Sequence, residues 1–294
     1  MASLIGIIIL NYFSGKETLR LYQKIESFQD ESLRKLVVDN SADATENELL
    51  RRSIPSEDLV LAGKNLGYAG GNNLGIRLLV TDSEIRTIVL INPDVELKEN
   101  IFHALGQKLL QNNDLAAIGP RLCLKGERNK IFSDGGLLHF KRFFYPGHLH
   151  AKMNPSQVVS KNLNRDIGYV NGSFFMIRVS ALEAIGLLNE KFFLYFEETE
   201  WCHRAKTLGW QVASDTTVTA YQDISNNGVV YEYYMTRNHF LFHYLYYKKG
   251  LPRLALHYLK HILIYVFSQE INSSKKWPFL LARIKGIVKG LMNS

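Results

Sequence analysis

The first part of the chain alternates short runs of aliphatic residues with segments whose apolar positions repeat every three or four residues. The runs predict buried strands, and the repeating segments predict amphipathic helices. The predicted strands cover residues 4–10, 36–39, 59–62 and 87–91, and the predicted helices cover residues 14–28, 43–52, 72–80 and 100–112. This alternation predicts an α/β fold with a doubly wound, mostly parallel central sheet.

Polar residues follow several predicted strands at the points where the strands end. Asn11, Asp39, Asn40 and Asp94 all lie at such positions. In open parallel sheets, ligands bind beyond the carboxyl ends of the strands, and loops there often carry function. We therefore expect the functional site at this edge of the sheet.

The middle of the chain is less regular. Residues 122–166 are rich in glycine, histidine, phenylalanine and lysine, which indicates surface excursions and a small antiparallel element. Residues 169–178 predict another strand. Residues 180–185 and 198–208 predict helices, each ended by a glycine.

The C-terminal segment is helical by pattern. Residues 251–268 are mostly apolar, with one polar stripe of Arg253, His257, Lys260 and His261. After a break at residues 272–276, an apolar face is formed by Leu280, Ile284, Ile287, Val288 and Leu291. Such helices can pack on the rest of the chain, contact a membrane surface, or do both. We predict a main domain of residues 1–245 and a basic, amphipathic helical extension of residues 246–294.

The charge is concentrated in that extension. The chain has a formal net charge of +7, and residues 248–294 hold nine Lys or Arg residues against the single acid Glu270. The rest of the chain is therefore close to neutral. The aromatic and aliphatic content of the extension favours an anionic membrane surface over nucleic acid as its partner.

The cysteines and the N-terminal residues indicate the cellular compartment of the protein. Cys123 and Cys202 are far apart and lack metal-site spacing, which predicts free thiols in a reducing compartment. No basic segment precedes the apolar run at residues 4–10. A signal peptide would have such a segment, so the run predicts a buried strand. We expect a cytoplasmic protein, peripheral at the inner face of the plasma membrane if the extension contacts lipid.

The tripeptide Asn92-Pro93-Asp94 follows a predicted strand and is followed by Glu96. A carboxylate in this position can hold a divalent cation, since Mg²⁺ and Mn²⁺ prefer oxygen ligands and leave positions open for phosphate oxygens. Asn, Pro and Asp are also common turn formers, so the tripeptide by itself favours a simple turn over a metal site.

Two further segments have the chemistry of nucleotide binding. Asp39-Asn40-Ser41 offers donors and acceptors that suit the edge of a pyrimidine. Residues 65–73, which contain Asn65, Gly71 and Asn72, are glycine-rich and open a predicted helix, where backbone N–H groups can meet a diphosphate. A helix capped by an asparagine is the alternative.

A third cluster combines carboxylates with aromatic residues. Glu197, Glu198 and Glu200 follow the aromatic segment of residues 192–196. Apolar surroundings and neighbouring like charges raise the pKa of a carboxyl group, which suits a general base. The alternative is a helix N-terminus, where acidic residues are favoured by the helix dipole.

In this order and spacing, the segments resemble the bacterial family-2 glycosyltransferases of the GT-A fold, in particular their rhamnosyltransferase-like branch. The blocks that carry the resemblance are Ile9-Leu10-Asn11-Tyr12, Val37-Val38-Asp39-Asn40-Ser41, residues 65–73, Leu90-Ile91-Asn92-Pro93-Asp94, Asn171-Gly172-Ser173-Phe174-Phe175-Met176-Ile177-Arg178, residues 185–195, Glu197-Glu198-Thr199-Glu200-Trp201-Cys202-His203-Arg204-Ala205, Gly209-Trp210, Tyr233-Tyr234 and Arg237-Asn238. Each block is modest, but the shared order makes the resemblance specific.

The resemblance implies an inverting, metal-dependent transfer of a sugar, rhamnose first, from a dTDP or UDP donor to a glycan or lipid-linked acceptor. Asp39 would contact the pyrimidine, Asp94 would hold Mn²⁺ or Mg²⁺, and Glu198 or Glu197 would be the catalytic base. The full set implied to bind the donor is Asn11, Asp39, Asn40, Asn65, Gly71, Asn72, Asn92, Asp94 and Arg237.

The sequence departs from the family pattern at two functional positions. Glu198 stands where the family usually has Asp, which leaves the base open between Glu197 and Glu198. Tyr221-Gln222-Asp223 stands where the family often has a metal-binding His. Either Gln222 or Asp223 substitutes for it, or the metal site depends more on the donor.

Three other functions are compatible with parts of the pattern. A sugar nucleotidyltransferase would need a basic N-terminal signature, which residues 10–15 lack. A non-catalytic scaffold of polysaccharide assembly would not need the acids at positions 94 and 197–200. A glycoside hydrolase also uses paired carboxylates, but it needs no loops for a pyrimidine or a diphosphate.

Overall fold

A computed structural model describes residues 4–139, 143–223, 228–267 and 273–292. The chain divides into two compact units. The first comprises Met1–Leu138, Pro146–Phe193 and Glu197–Ile224, and the second comprises His139–Tyr145, Leu194–Phe196 and Ser225–Ser294. The last segment of the second unit thus begins before residue 246. The domain boundary expected at residue 246 stays a prediction.

The strands alternate with helices along the first part of the chain, as predicted. The strands are β1 (Leu4–Asn11), β2 (Leu33–Asp39), β3 (Leu59–Leu61), β4 (Ile85–Ile91), β5 (Leu115–Leu124), β6 (Ile131–Ser133), β7 (Gly136–His139), β8 (Tyr145–His148), β9 (Phe174–Arg178) and β10 (Gln211–Gln222). The first six helices are α1 (Gly15–Glu26), α2 (Ala44–Arg51), α3 (Gly67–Leu79), α4 (Phe102–Gln111), α5 (Val179–Ile185) and α6 (Glu197–Thr207).

Eight strands form one mixed sheet in the order β10-β5-β9-β4-β1-β2-β3, with β6 paired to β5, while β7 and β8 form a separate two-stranded sheet. The pairs β1–β2, β1–β4, β2–β3 and β5–β10 are parallel. Strand β9 runs antiparallel to both β4 and β5. The predicted mostly parallel α/β sheet is confirmed.

The sheet is buried on both faces. One core cluster joins Ile8 and Leu10 of β1 to Ile76 of α3, and a second joins Ile7 and Ile9 to Phe102 of α4. Every residue of β1 is buried. Covered parallel strands carry continuous apolar runs, which is why the sequence pattern of β1 does not alternate.

Strand β5 is one of the elements that the hydrophobic pattern did not predict. All ten of its residues are buried, although Gly119, Pro120 and Arg121 interrupt its apolar sequence. Glycine and proline are unusual within a central strand, and arginine is costly to bury. The side chain of Asp134 compensates the arginine by accepting hydrogen bonds from its Nε at 2.7 Å and its Nη2 at 2.8 Å.

The glycine-rich segment is the first part of helix α3 and not a loop before it, which corrects the predicted start at residue 72. Gly67 has a φ of +72°, and a Cβ there would lie 2.3 Å from the carbonyl oxygen of Phe193. A Cβ on Gly71 would lie 2.4 Å from Cδ1 of Leu10. A Cβ on Gly75 would lie 3.0 Å from Cδ1 of Ile8, so Gly71 and Gly75 together let α3 pack directly on β1.

The second unit is built from α7 (Val229–Tyr246), α8 (Leu251–Phe267) and α9 (Ser273–Met292). A Cβ on Gly286 would lie 2.8 Å from the carbonyl oxygen of Tyr233, and one on Gly290 would lie 2.7 Å from that of Arg237. The glycine pair thus lets the backbones of α9 and α7 approach closely. Within the described segments, none of the helices has the length and apolarity required to cross a bilayer.

The Arg121–Asp134 pair gives a prediction about stability. The two side chains are only 4% and 0% exposed. Asp134→Ala would leave a buried, unpaired guanidinium and should lower the free energy of unfolding by about 3–5 kcal/mol. Urea denaturation measures this loss.

Glu48→Ala is the control. Glu48 pairs with Arg52, and the two side chains are 64% and 73% exposed, so the free energy of unfolding should fall by less than about 1 kcal/mol. Equal losses in both variants would contradict the prediction.

Candidate active site

The site begins where β1 and β2 end side by side at the carboxyl edge of the sheet. Nδ2 of Asn11 donates to Oδ1 of Asp39 at 2.8 Å and to Oε2 of Glu46 at 3.0 Å. Ser41 donates to the same carboxylate through its N–H at 3.1 Å and its hydroxyl at 2.9 Å. These bonds hold the Asp39 carboxylate in one orientation.

Asn40 connects this edge to the start of α3. Its Nδ2 donates to Oδ1 of Asn65 at 3.2 Å and to the carbonyl oxygen of Gly67 at 3.1 Å. Its Oδ1 accepts the N–H of Leu66 at 2.8 Å. The side chain of a single asparagine therefore fixes the chain segment that precedes and begins the helix.

Tyr68 extends the network toward helix α6. Its hydroxyl donates to the carbonyl oxygen of Gly172 at 2.7 Å. A Cβ on Gly172 would lie 3.3 Å from Cδ of Glu198 and 3.5 Å from the Tyr68 hydroxyl. The Glu198 carboxyl group and the Tyr68 hydroxyl thus both lie next to position 172, and a side chain there would crowd Glu198.

The loop at residues 171–173 also meets the end of β4. The N–H of Asn92 donates to the carbonyl oxygen of Ser173 at 3.0 Å, and Nδ2 of Asn92 donates to the Ser173 hydroxyl at 3.4 Å. Because β9 is antiparallel, its beginning lies at the edge where β4 ends. One short loop therefore contacts both the Asn92–Asp94 turn and the Glu198 side.

Asp94 lies beside the end of β10. Glu96 and Tyr221 exchange backbone hydrogen bonds of 2.7 and 3.0 Å, so residues 221–223 run along the turn that carries Asp94. Burial raises the pKa of Asp94 above its usual value, the nearby Lys125 opposes that rise, and the charge of Asp223 adds to it. Lys125 itself forms an ion pair with Asp223 at 3.2 Å.

The end of β10, whose backbone pairs with the segment that carries Asp94, offers oxygen atoms of the kind that a hard divalent cation prefers. Oε1 of Gln222 is buried and has no hydrogen-bond partner, so a carbonyl oxygen is left free at the end of β10. Asp94 and Asp223 supply carboxylates of the kind that Mg²⁺ and Mn²⁺ prefer. Within residues 4–292, masked positions aside, no three His, Cys, Asp or Glu side chains are grouped as a complete metal site. A cation here would need further ligands from a bound phosphate or from water.

The three neighbouring glutamates of α6 have different environments. Glu200 is 1% exposed and accepts hydrogen bonds from Nε and Nη2 of Arg204 at 2.9 and 3.1 Å. Glu197 is 2% exposed, whereas Glu198 is partly exposed. Burial raises the pKa of Glu198 to about 7, against the opposing effect of the backbone N–H groups of Glu198 and Thr199. Of the three, Glu198 combines access to solvent with a pKa suited to accept a proton near neutral pH.

Other residues implied to bind the donor lie as follows. Gly71 is buried against Leu10, and the buried Asn72 donates from Nδ2 to the carbonyl oxygen of Tyr68 at 2.9 Å. These contacts account for both residues through the packing of α3. Arg237 lies on α7 in the second unit, where its Nη1 donates to Oδ1 of Asn238 at 2.7 Å.

Tyr68, Gly172 and Ser173 were not assigned a role from the sequence. They lie within blocks that carried the family resemblance, but their contacts join positions about a hundred residues apart, such as Tyr68 and Gly172. A single sequence contains no signal that pairs such residues. The close approach of Glu198 and Tyr68 to Gly172 arises only when α6 and α3 pack together in the folded chain.

Comparison with known proteins gives relatives of one kind. The chain matches no protein-family model. It is 28% identical to the low-salt glycan biosynthesis hexosyltransferase Agl10 of Haloferax volcanii, over 98% of this chain and 91% of that protein. It is 22% identical to the dTDP-rhamnosyl transferase RfbF of Shigella flexneri, over 98% of this chain and 96% of that protein.

The fold agrees with these relatives. The structure of the mannosyltransferase PcManGT from Pyrobaculum calidifontis, in complex with GDP-Man and Mn²⁺, matches with a TM-score of 0.57 at 13% identity. The match covers 100% of this chain and 88% of that one. The GT-A fold is therefore confirmed, and with it the resemblance of this chain to the family-2 glycosyltransferases of the rhamnosyltransferase-like branch.

Proposed function

We propose that this protein is an inverting glycosyltransferase, which moves a sugar from a nucleoside diphosphate donor to the hydroxyl group of a glycan or a lipid-linked oligosaccharide. The observation that carries the proposal is the continuous set of contacts from Asn11 and Asp39, through Asn40 and Tyr68, to Glu198. The contact between Asn92 and Ser173 connects the turn that carries Asp94 to the same loop, and these contacts together support a proposed site for the base, the cation and the proton acceptor.

The nucleoside would bind at the ends of β1 and β2. Oδ2 of Asp39 accepts one hydrogen bond, from the Ser41 hydroxyl, and keeps a lone pair that can accept the N3–H of a pyrimidine. Thymine and uracil carry that N–H, whereas cytosine does not. Among pyrimidine nucleotides this favours dTDP and UDP donors over CDP donors, and the name of the Shigella relative makes dTDP-rhamnose the first to test.

The donor diphosphate would bind near Asp94. Asp94, Asp223 and the free carbonyl oxygen of Gln222 would hold Mn²⁺ or Mg²⁺, with phosphate oxygens completing the coordination. When bound, such a cation offsets the charge that develops on the leaving diphosphate. Since phosphate oxygens would supply part of the coordination, we expect metal and donor to bind together.

Glu198 would act as the general base. The acceptor oxygen forms a bond to the anomeric carbon while the bond from that carbon to the diphosphate oxygen breaks, and its electron pair leaves with the nucleoside diphosphate. Glu198 takes the proton of the acceptor hydroxyl. A single displacement of this kind inverts the anomeric configuration. Glu197, which is almost fully buried, is less suited to reach an acceptor.

Replacing the proposed base should abolish most of the transfer. Glu198→Gln keeps the shape of the side chain but removes the proton acceptor, so the transfer rate should fall by about 10²–10⁴-fold while donor binding is retained. Transfer assays and isothermal titration measure the two properties. Glu183→Gln, at an exposed position of α5, is the matched control and should keep full activity. Full activity of Glu198→Gln would rule out this role.

The pKa of Glu198 sets the expected pH dependence. The carboxyl group must be ionised to accept a proton, and its pKa is about 7. Transfer should therefore be maximal above that pH and fall about tenfold for each unit below it. The residual rate of Glu198→Gln should lack this step. A rate profile that is flat between pH 5 and pH 8, the window that brackets this pKa, would contradict the assignment.

Removing the proposed metal ligand should weaken donor binding. Asp94→Asn should reduce the Mn²⁺-dependent affinity for the donor by roughly tenfold or more, and EDTA should stop turnover of the wild-type protein. Asp166→Asn, at an exposed site, is the control. Turnover that is indifferent to EDTA would show that no divalent cation takes part.

A further inference from the structure

Helix α8 presents an apolar stripe to solvent. Leu256, Leu259, Leu263 and Val266 are spaced by three, four and three residues and are 66%, 51%, 49% and 39% exposed. The opposite face of the helix is the one that packs inward, through the buried Leu254 and Tyr258. The stripe is therefore a second apolar face, beyond the one that the fold uses.

Helix α9 repeats this arrangement. Its exposed stripe consists of Trp277, Leu281, Ile284, Val288 and Leu291, which are 59%, 51%, 41%, 48% and 42% exposed. The spacing alternates between four and three residues, so the stripe extends along one side of the helix for about 21 Å. The inward face is a different one, formed at Leu280 and the two glycines that contact α7. The apolar face predicted from the sequence thus divides between an inner and an outer side.

An open groove lies along the exposed stripe of α8. It has a volume of about 630 Å³ and is lined by Phe143 together with the α8 residues Leu256, Leu259 and Leu263. Arg253 and Lys260 lie at its margin. Exposed apolar patches of this extent mark binding surfaces in most soluble proteins.

The charges of the two helices decide which partner fits. Neither residues 251–267 nor residues 273–292 include an Asp or a Glu. The exposed cations Arg253, Lys260, Lys285 and Lys289 flank the stripes. A second copy of this chain would place its own cations against these, which is unfavourable. A partner that is both apolar and anionic meets both features.

We propose that α8 and α9 dock this protein onto an anionic lipid bilayer. The two helices lie on the surface with their outer stripes in the boundary between headgroups and acyl chains, and the flanking Lys and Arg side chains contact anionic headgroups. Trp277 is of the residue type that favours this boundary. In the described part of the chain no helix is long and apolar enough to cross a bilayer, and the proposed contact is with the bilayer surface. The proposal does not rest on the transferase activity, although it would place the protein where lipid-linked acceptors are found.

Vesicle sedimentation with the full chain tests the proposal. The wild-type protein should sediment with vesicles of phosphatidylcholine and phosphatidylglycerol, and much less with phosphatidylcholine alone. Leu259→Gln with Leu263→Gln should lower the partition coefficient by about tenfold or more, because apolar area is lost from the boundary. Lys285→Gln with Lys289→Gln should lower it by roughly 30-fold, since each cation near an anionic surface contributes about fivefold.

Matched controls remove similar groups from the first unit. Leu208→Gln with Val159→Gln removes two exposed apolar side chains, and Arg20→Gln with Arg86→Gln removes two exposed cations. Both should partition as the wild type does. All four pairs lie at exposed positions, and circular dichroism confirms that each variant is folded.

Three results would overturn the proposal. The first is a wild-type chain that does not sediment with anionic vesicles. The second is a set of stripe variants that bind as well as the wild type. The third is a wild-type dimer in analytical ultracentrifugation that the stripe variants dissociate, which would assign the surface to a second copy. Donor hydrolysis by the stripe variants should equal that of the wild type, so failure here is distinguishable from failure of the proposed activity.

Discussion

The hydrogen bonds of the Asn40 side chain hold the proposed site together. They tie the end of β2 to Asn65, Leu66 and Gly67, and so fix where α3 begins. The position of Tyr68, one residue further, follows from this, and the Tyr68 hydroxyl in turn meets the loop beside Glu198. A buried amide can do this because each of its polar atoms has a partner, and an unpaired one would cost free energy.

The carboxylates at this edge are distinguished by their surroundings. Asp39 is held by donors from three sides, Glu200 is paired with Arg204, and Glu198 is left with a raised pKa. Asp94 also has a raised pKa, since burial outweighs the nearby Lys125. A bound cation would stabilise a carboxylate that is costly to ionise, which supports the proposal that Asp94 holds one.

The sequence was sufficient to predict the parallel sheet and the polar residues at its edge. Continuous apolar runs define β1 and β4, and their ends are marked by Asn11 and Asn92. It was insufficient for β5, where Arg121 is made tolerable by Asp134, a partner that only the folded chain brings near. The glycines of α3 look like a loop in sequence because their purpose is the close approach to Leu10 and Ile8.

The sequence alone could not distinguish the inner from the outer apolar face of α9, because the contacts that distinguish them exist only in the folded chain. Its residues at helical spacing fit either side, and the glycines at 286 and 290 decide which side packs against α7. Residues that act through distant partners, such as Tyr68 and Gly172, are likewise visible only after packing. Local pattern determines the elements, whereas the site depends on contacts between them.

The central claim is that one edge of this sheet binds a pyrimidine nucleotide sugar together with a divalent cation. Isothermal titration of the wild-type chain with dTDP-rhamnose, UDP-glucose, UDP-galactose and a GDP-sugar, each with and without Mn²⁺, tests it directly. We expect binding of a dTDP- or UDP-sugar that requires Mn²⁺. If only the GDP-sugar bound, or if none of the donors bound, the account would be contradicted.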